Sequence, residues 1–260
     1  MQPAMFLPHG APDLAISDIP AAQFLATVLK KRSRPKGIVI ISAHWETIGV
    51  SITTAPDLKT IHDFGGFGSA LHKIQYAART APWLITAAKA ALDNAGFKAT
   101  EDARRGLDHG AWIPLRLMLS KADVPVVQIS LDHTASPEQH FQLGQALAAL
   151  ADQDILVIGS GATVHNLRRI APEGTLPPKW ATDFDDWVEN VLASQNWSEL
   201  LRFSEHQPNV PSHPTAEHFL PLIVICGVCS ARRSAVMRQL HRSYSYGSIG
   251  MAAWEVSDAT

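Results

Sequence analysis

The sequence predicts an α/β fold: a single domain over residues 1–260 with a central, mostly parallel (mixed) sheet flanked by helices. Three observations carry this. Short apolar runs rich in β-branched residues, Gly37-Ile38-Val39-Ile40-Ile41, Val124 to Leu131 and Ile155-Leu156-Val157-Ile158, suit strands buried on both faces. Segments with apolar residues at helical spacing lie between these runs, as parallel βαβ units require. No linker, low-complexity tract or internal repeat breaks the order, and 46% apolar residues are ample for one core.

In chain order, Phe6-Leu7-Pro8-His9-Gly10 reads as a first strand ending in a histidine and a turn glycine, and Ile19 to Lys31 as a helix with a basic end. The strand from Gly37 stops in Ser42-Ala43-His44-Trp45, which carries an imidazole to the sheet's carboxyl edge, where open α/β sheets put their ligands. Val50 to Thr54 is a short β-like run. Ile61 to Gly68 is a glycine-rich, aromatic loop able to lie over a pocket. Trp83 to Gly96 is a helix with Leu84, Ala87, Ala88, Ala91 and Leu92 inward and Gly96 as its stop. His109 stands in a glycine-flanked turn before a helix containing Leu115, Leu117, Met118 and Leu119. Val124 to Leu131 runs into Asp132-His133, and Pro137 to Asp152 is a helix with Ser136 as N-cap. The strand at Ile155 delivers Gly159-Ser160-Gly161 and then His165. Trp180 to Phe203 is amphipathic and helical with a break near Asn196-Trp197, Gln207 to Thr215 is a proline-rich loop, a helix follows through Val228, and Tyr244 to Val256 closes the chain as a strand.

Composition excludes several classes. The net charge is -2 with no basic stripe, so no nucleic-acid partner is expected. The apolar runs are too short for a bilayer, and Met1 to Leu7 lacks the basic and apolar regions of a signal peptide. Cys226 and Cys229 lie in an apolar helix and read as buried thiols, which suits a reducing, cytoplasmic location.

Histidine is the unusual residue, 12 in all. Four of them, His9, His44, His165 and His218, fall on segments that an α/β sheet brings to one edge. Neutral imidazoles are the commonest metal ligands, and three of them leave open positions on zinc or iron(II). Spacing alone does not decide for a metal, because no short signature such as His-Glu-x-x-His is present. Gly159-Ser160-Gly161 lacks the lysine and spacing of a phosphate loop, and the Gly-x-Ser-x-Gly hydrolase elbow is absent.

Five motifs resemble those of the class III extradiol ring-cleaving dioxygenases, and among them the DOPA 4,5-dioxygenase subgroup. They are Leu7-Pro8-His9-Gly10, Ser42-Ala43-His44-Trp45, Arg105 to Trp112, Gly159-Ser160-Gly161 with Val164-His165-Asn166-Leu167, and Glu217-His218-Phe219-Leu220-Pro221-Leu222. The resemblance runs along essentially the whole chain in the same order. It implies a mononuclear non-haem Fe(II), with O2 and a catecholic small molecule as partners; separately, a monomer or small homo-oligomer is the expected assembly. The reaction implied is DOPA-like 4,5-cleavage to a muconic semialdehyde. By the same resemblance His9, His44 and His218 are the metal ligands, the third being a position where many class III enzymes carry glutamate. His165 is the acid/base histidine, and His109 a pocket histidine that helps position substrate or oxygen.

His133, His213, Trp45, Asp63 and Phe64 are the further candidates for substrate contact, while His72, His140, His206 and His241 read as surface residues. Where the subgroup tends to carry Tyr-Asp-Phe-Tyr, this chain has His62-Asp63-Phe64-Gly65, a smaller loop that fits a larger or differently substituted catechol. An all-histidine site also suits Zn(II), so a zinc hydrolase is a second reading, and a non-enzymatic interaction module on the same fold a third.

Overall fold

The structure is a computed structural model and describes residues 2–207 and 211–259. The elements run β1 (Ala4–Pro8), α1 (Pro20–Leu25), β2 (Gly37–Thr47), β3 (Val50–Thr53), β4 (Asp57–Leu58), β5 (Ala78–Arg79), α2 (Pro82–Asn94), β6 (Ala99–Asp102) and α3 (His109–Met118). They continue with β7 (Val126–Asp132), α4 (Pro137–Leu147), β8 (Ile155–Gly161), α5 (Lys179–Ser194), α6 (Trp197–Leu200), α7 (Leu220–Ser230), β9 (Ala235–His241), β10 (Tyr244–Ser245), β11 (Ile249–Gly250) and β12 (Ala253–Asp258).

Eight strands form one mixed sheet in the order β6-β3-β7-β2-β8-β1-β12-β9. The middle four, β7, β2, β8 and β1, are mutually parallel; β3 and β12 run antiparallel to their inner neighbours. Alternation along these strands splits the core in two. Phe6, Val39, Ile41, Val157 and Leu131 pack under α2, α4, α5 and α7 on one face. Met5, Leu7, Ile38, Ile40 and Ile158 pack under α1 and α3 on the other. Residues buried on both faces explain why these strands read as unbroken apolar runs.

The structure departs from the sequence reading in places. β1 and β2 are parallel as expected, but β8 lies between them. The first helix ends at Leu25 and continues only as turns. α4 stops at Leu147, after which a 3-10 segment, Ala148–Gln153, completes the run; its start is a full capping box between Ser136 and Gln139. The end of the chain is not one strand but the small β10-β11 pair followed by β12. Residues 208–210 of the proline-rich loop lie outside the described residues.

α7 is buried along nearly its whole length and holds both cysteines as free thiols, which burial pushes up, Cys229 to about 11. Among the described residues no helix is long and apolar enough to cross a membrane.

Candidate active site

Because β1, β2 and β8 are parallel, their carboxyl ends reach one edge of the sheet, and each ends in or near a histidine. His9 follows β1 directly, and His165 lies four residues beyond β8. His44 sits within β2, inside a stretch where the register against β7 slips between Ile41 and Glu46. Such an irregularity re-aims side chains that a regular strand would alternate. His218 comes from the turn before α7. Its carbonyl accepts the Ala162 N–H at 3.0 Å. Gly161 makes that approach possible, since a Cβ there would stand 2.2 Å from the His218 oxygen.

The three imidazoles converge. His44 Nε2 lies 3.0 Å from His9 Nε2 and 3.3 Å from His218 Nε2. The opposite ring nitrogens decide what these atoms offer. Ser160 Oγ donates its hydrogen to the Gly110 carbonyl, so it must accept from His9 Nδ1 at 3.0 Å, which fixes the proton on Nδ1. Glu217 Oε1 likewise accepts from His218 Nδ1 at 2.9 Å. Both rings therefore turn a bare Nε2 lone pair toward His44, whose single Nε2 hydrogen can serve only one of them. Burial, followed by mutual repulsion with the neighbouring histidines, holds His9 and His218 well below the ordinary imidazole range; burial and His109 bring His44 to about 4. Uncharged, buried lone pairs aimed at one point lack a cation. Ligands about 2.1 Å from a shared ion are spaced in this way, so the donor set fits a divalent metal. The neutral nitrogen set suits iron(II) and zinc alike.

The remaining side chains surround these three. His165 stacks on His218 with ring centroids 3.4 Å apart and planes 8° from parallel. Burial brings it down to about 4, so it is neutral at pH 7. His109 is the first residue of α3, its ring centroid 3.9 Å from that of His44. The fully buried Asp108 caps this helix, accepting from Ala111 N at 3.1 Å, Ser42 Oγ at 2.6 Å, Arg105 Nη2 at 3.1 Å and the Gln128 amide. One carboxylate thus ties the His109 helix to the strand that carries His44. Gly110 lets the two close up, because a Cβ there would meet Ser42 Oγ at 2.4 Å. Asp63 accepts the His109 backbone N–H at 2.9 Å, and its other oxygen stands 3.0 Å from His109 Nδ1. Burial alone lifts the Asp63 carboxyl, but these contacts outweigh it and hold it at about 2.

The site opens into a cavity of about 1030 Å³ lined by His9, His44, His109, His165 and His218 and, farther out, by Phe64, Phe67, Leu167, Ile170 and Tyr246. Phe64 therefore lies where the sequence puts it, while Asp63 reaches His109 rather than the cavity lining. The other three candidates fall elsewhere. His133 is exposed at the end of β7. Trp45 is buried, with the Arg105 guanidinium 5.2 Å from its ring centre. His213 is buried beside Phe184, Phe203 and Phe219, its Nε2 donating to the Thr163 carbonyl at 2.8 Å. None of the three lines the cavity. His140, read as a surface residue, is buried with Nδ1 donating to the Ser136 carbonyl at 3.0 Å.

Sequence reasoning missed the orienting roles of Ser160 and Glu217 and the bridging role of Asp108. Their only signals were a serine between two glycines and acids adjacent to histidines.

Comparison with other proteins points one way. Residues 5–253 match the family described as the catalytic LigB subunit of aromatic ring-opening dioxygenase. A Beta vulgaris protein named 4,5-DOPA dioxygenase extradiol is 39% identical over 255 residues, covering 94% of each chain. An Escherichia coli K12 protein of the same name is 38% identical over 230 residues, 86% of this chain and 84% of its own. A crystal structure of an uncharacterized E. coli K12 protein superposes with a TM-score of 0.82 at 30% identity, covering 99% of this chain and 100% of that one.

Proposed function

This chain belongs to the LigB family of aromatic ring-opening dioxygenases, and from that premise we propose that it is an extradiol dioxygenase. Its substrates are O2 and a substituted catechol, its metal is iron(II) held by His9, His44 and His218, and its product is a muconic semialdehyde from DOPA-like 4,5-cleavage. The names of the relatives support the reaction class. The observation that carries the assignment to this site is the convergence of three ring nitrogens, two of them with tautomers fixed from behind, at the floor of a cavity.

Iron(II), when bound, supplies the place where diol and dioxygen meet and the path for electrons from ring to oxygen. The chain's own groups do the rest. His165, held neutral by burial, accepts the proton that a catechol hydroxyl loses on binding and returns it later in the reaction. His109, oriented by Asp63, faces the same space and positions substrate or oxygen. Phe64 and Phe67 cover the aromatic ring and exclude water from it. Glu217 and Ser160 act one step removed, holding the ligand rings in the tautomer that presents Nε2.

The test is oxygen uptake and appearance of a yellow product when iron-reconstituted protein meets a panel of catechols in air. No uptake across the panel by protein whose iron content is verified would overturn the reading.

A further inference from the structure

The cavity is far larger than the chemistry needs. An apolar space of about 150 Å³ holds a benzene molecule, whereas this one measures about 1030 Å³, at the top of the range of roughly 300–1,000 Å³ that encloses drug-sized ligands. What fills the excess is set by the lining. Away from the histidines its apolar part is formed by Leu167, Ile170, Tyr246, Ile249, Phe67 and Pro12, beside the polar Glu46, Arg168 and Glu217. Leu167 and Ile170 are 62% and 50% exposed, among the most exposed large apolar residues of the chain.

These side chains are not displayed by a loose loop. Asn166 Oδ1 accepts from Arg168 N at 3.1 Å, and its amide donates to the Pro211 carbonyl at 2.6 Å. The Arg169 carbonyl accepts from Ser248 Oγ at 3.1 Å, and Ala171 N donates to the Tyr246 carbonyl at 2.8 Å. Tyr246 itself is held at φ +48°, the left-handed region that a non-glycine residue avoids. Three bonds keep it there: its carbonyl to Ala171, its N–H to Glu173 Oε2 at 2.9 Å, and its hydroxyl to Asp13. A strained residue fixed by its surroundings at the wall of a binding site marks a built surface.

We infer that this wall is a specificity shelf and that the substrate is a catechol carrying an extended apolar substituent, longer than the side chain of an amino acid. The inference rests on the catechol reading above and adds what lies beyond the ring. Leu167 and Ile170 are the specificity-determining residues. An apolar tail covers them when the diol sits at the histidines, and water returns to them when it leaves. Arg168 is the exception on this turn, and an amino-acid tail is the natural comparator for it.

The experiment is calorimetric binding, under argon, of 4-methyl-, 4-butyl- and 4-octylcatechol and of DOPA to the iron-reconstituted protein, with oxygen uptake measured in parallel. The expected Kd falls by about two- to four-fold per added methylene, and the Leu167→Ser, Ile170→Ser double variant flattens that slope. A flat slope in the unaltered protein overturns the shelf, whatever the turnover. DOPA binding more tightly than 4-butylcatechol overturns it as well, giving the selectivity to Arg168. A dimer that Leu167→Asp dissolves would assign the surface to a second copy and also overturn it. Steep chain-length dependence without oxygen uptake sustains the shelf and overturns the reaction; uptake with a flat slope does the reverse.

Discussion

Two sets of histidines are secluded in this molecule, all buried except the half-buried His44, and they differ in what stands behind them. His140 and His213 each give one ring nitrogen to a backbone carbonyl, and the other has no hydrogen-bond partner among the described residues. Burial lowers both, as it lowers His9, His44 and His218. Seclusion and neutrality are therefore common to the two sets. Among the described residues, only in the cluster at the sheet edge do side-chain acceptors, Ser160 and Glu217, hold Nδ1 of two rings so that their free nitrogens face the third. What sets the proposed metal site apart is the orientation of its rings, not their burial.

If burial alone were enough, His213→Ala would cost metal as His44→Ala does. The expected result is instead that His44→Ala loses bound metal and all turnover, while His213→Ala retains a full equivalent by elemental analysis. His165→Ala, in contact with a ligand but not one of the three, should keep its metal and lose about 10²–10⁴ in kcat. Equal metal loss in all three variants would erase the distinction.

A smaller effect sharpens the role of the backing groups. Glu217→Gln and Ser160→Ala leave every ligand in place but weaken or remove the acceptor that fixes its tautomer. Metal affinity should fall by about 10–100-fold, read by competition with a chromophoric chelator. Unchanged affinity would mean the rings are held by packing alone.

The smallest effect concerns what the two sets share. His213 is held at about 4 by burial, against an ordinary value of 6.5 in the unfolded chain. The folded form then binds fewer protons, so this contribution is complete above pH 6.5 and is lost as pH falls from 6.5 toward 4. Between pH 7 and pH 5 it amounts to ~2 kcal/mol. In metal-free protein, urea unfolding at those two pH values should show the loss shrinking by about that much in His213→Gln. An identical loss in both proteins would contradict it.

Much of the fold was legible because the four parallel strands are buried on both faces and so appear as apolar runs. β6, with the sequence Ala-Thr-Glu-Asp, and β9, with Arg238 and Gln239 in its middle, lie at the two edges of the sheet, where one side meets solvent and the signal disappears. The place of β8 between β1 and β2 was likewise illegible, since strand order is a property of pairing and not of any one segment. At the site, His9, His44 and His165 stood out because each lies at or just beyond the carboxyl end of an apolar run, and His218 because it opens one. Ser160 and Asp108 did not, because their partners lie 151 and 66 residues away. His140 was misread for a related reason: in a helix of near-neutral composition, polarity says little about which side faces inward.

The contact between Gly161 and the His218 carbonyl has one more implication. Main chain meets main chain there, so the proposed third ligand is mounted on the scaffold without help from its own side chain. Whatever residue occupies position 218 inherits the same anchor point. The fold thus offers an exchangeable socket, in which a nitrogen or a carboxylate donor alters the charge around the ion while the frame that carries it stays put.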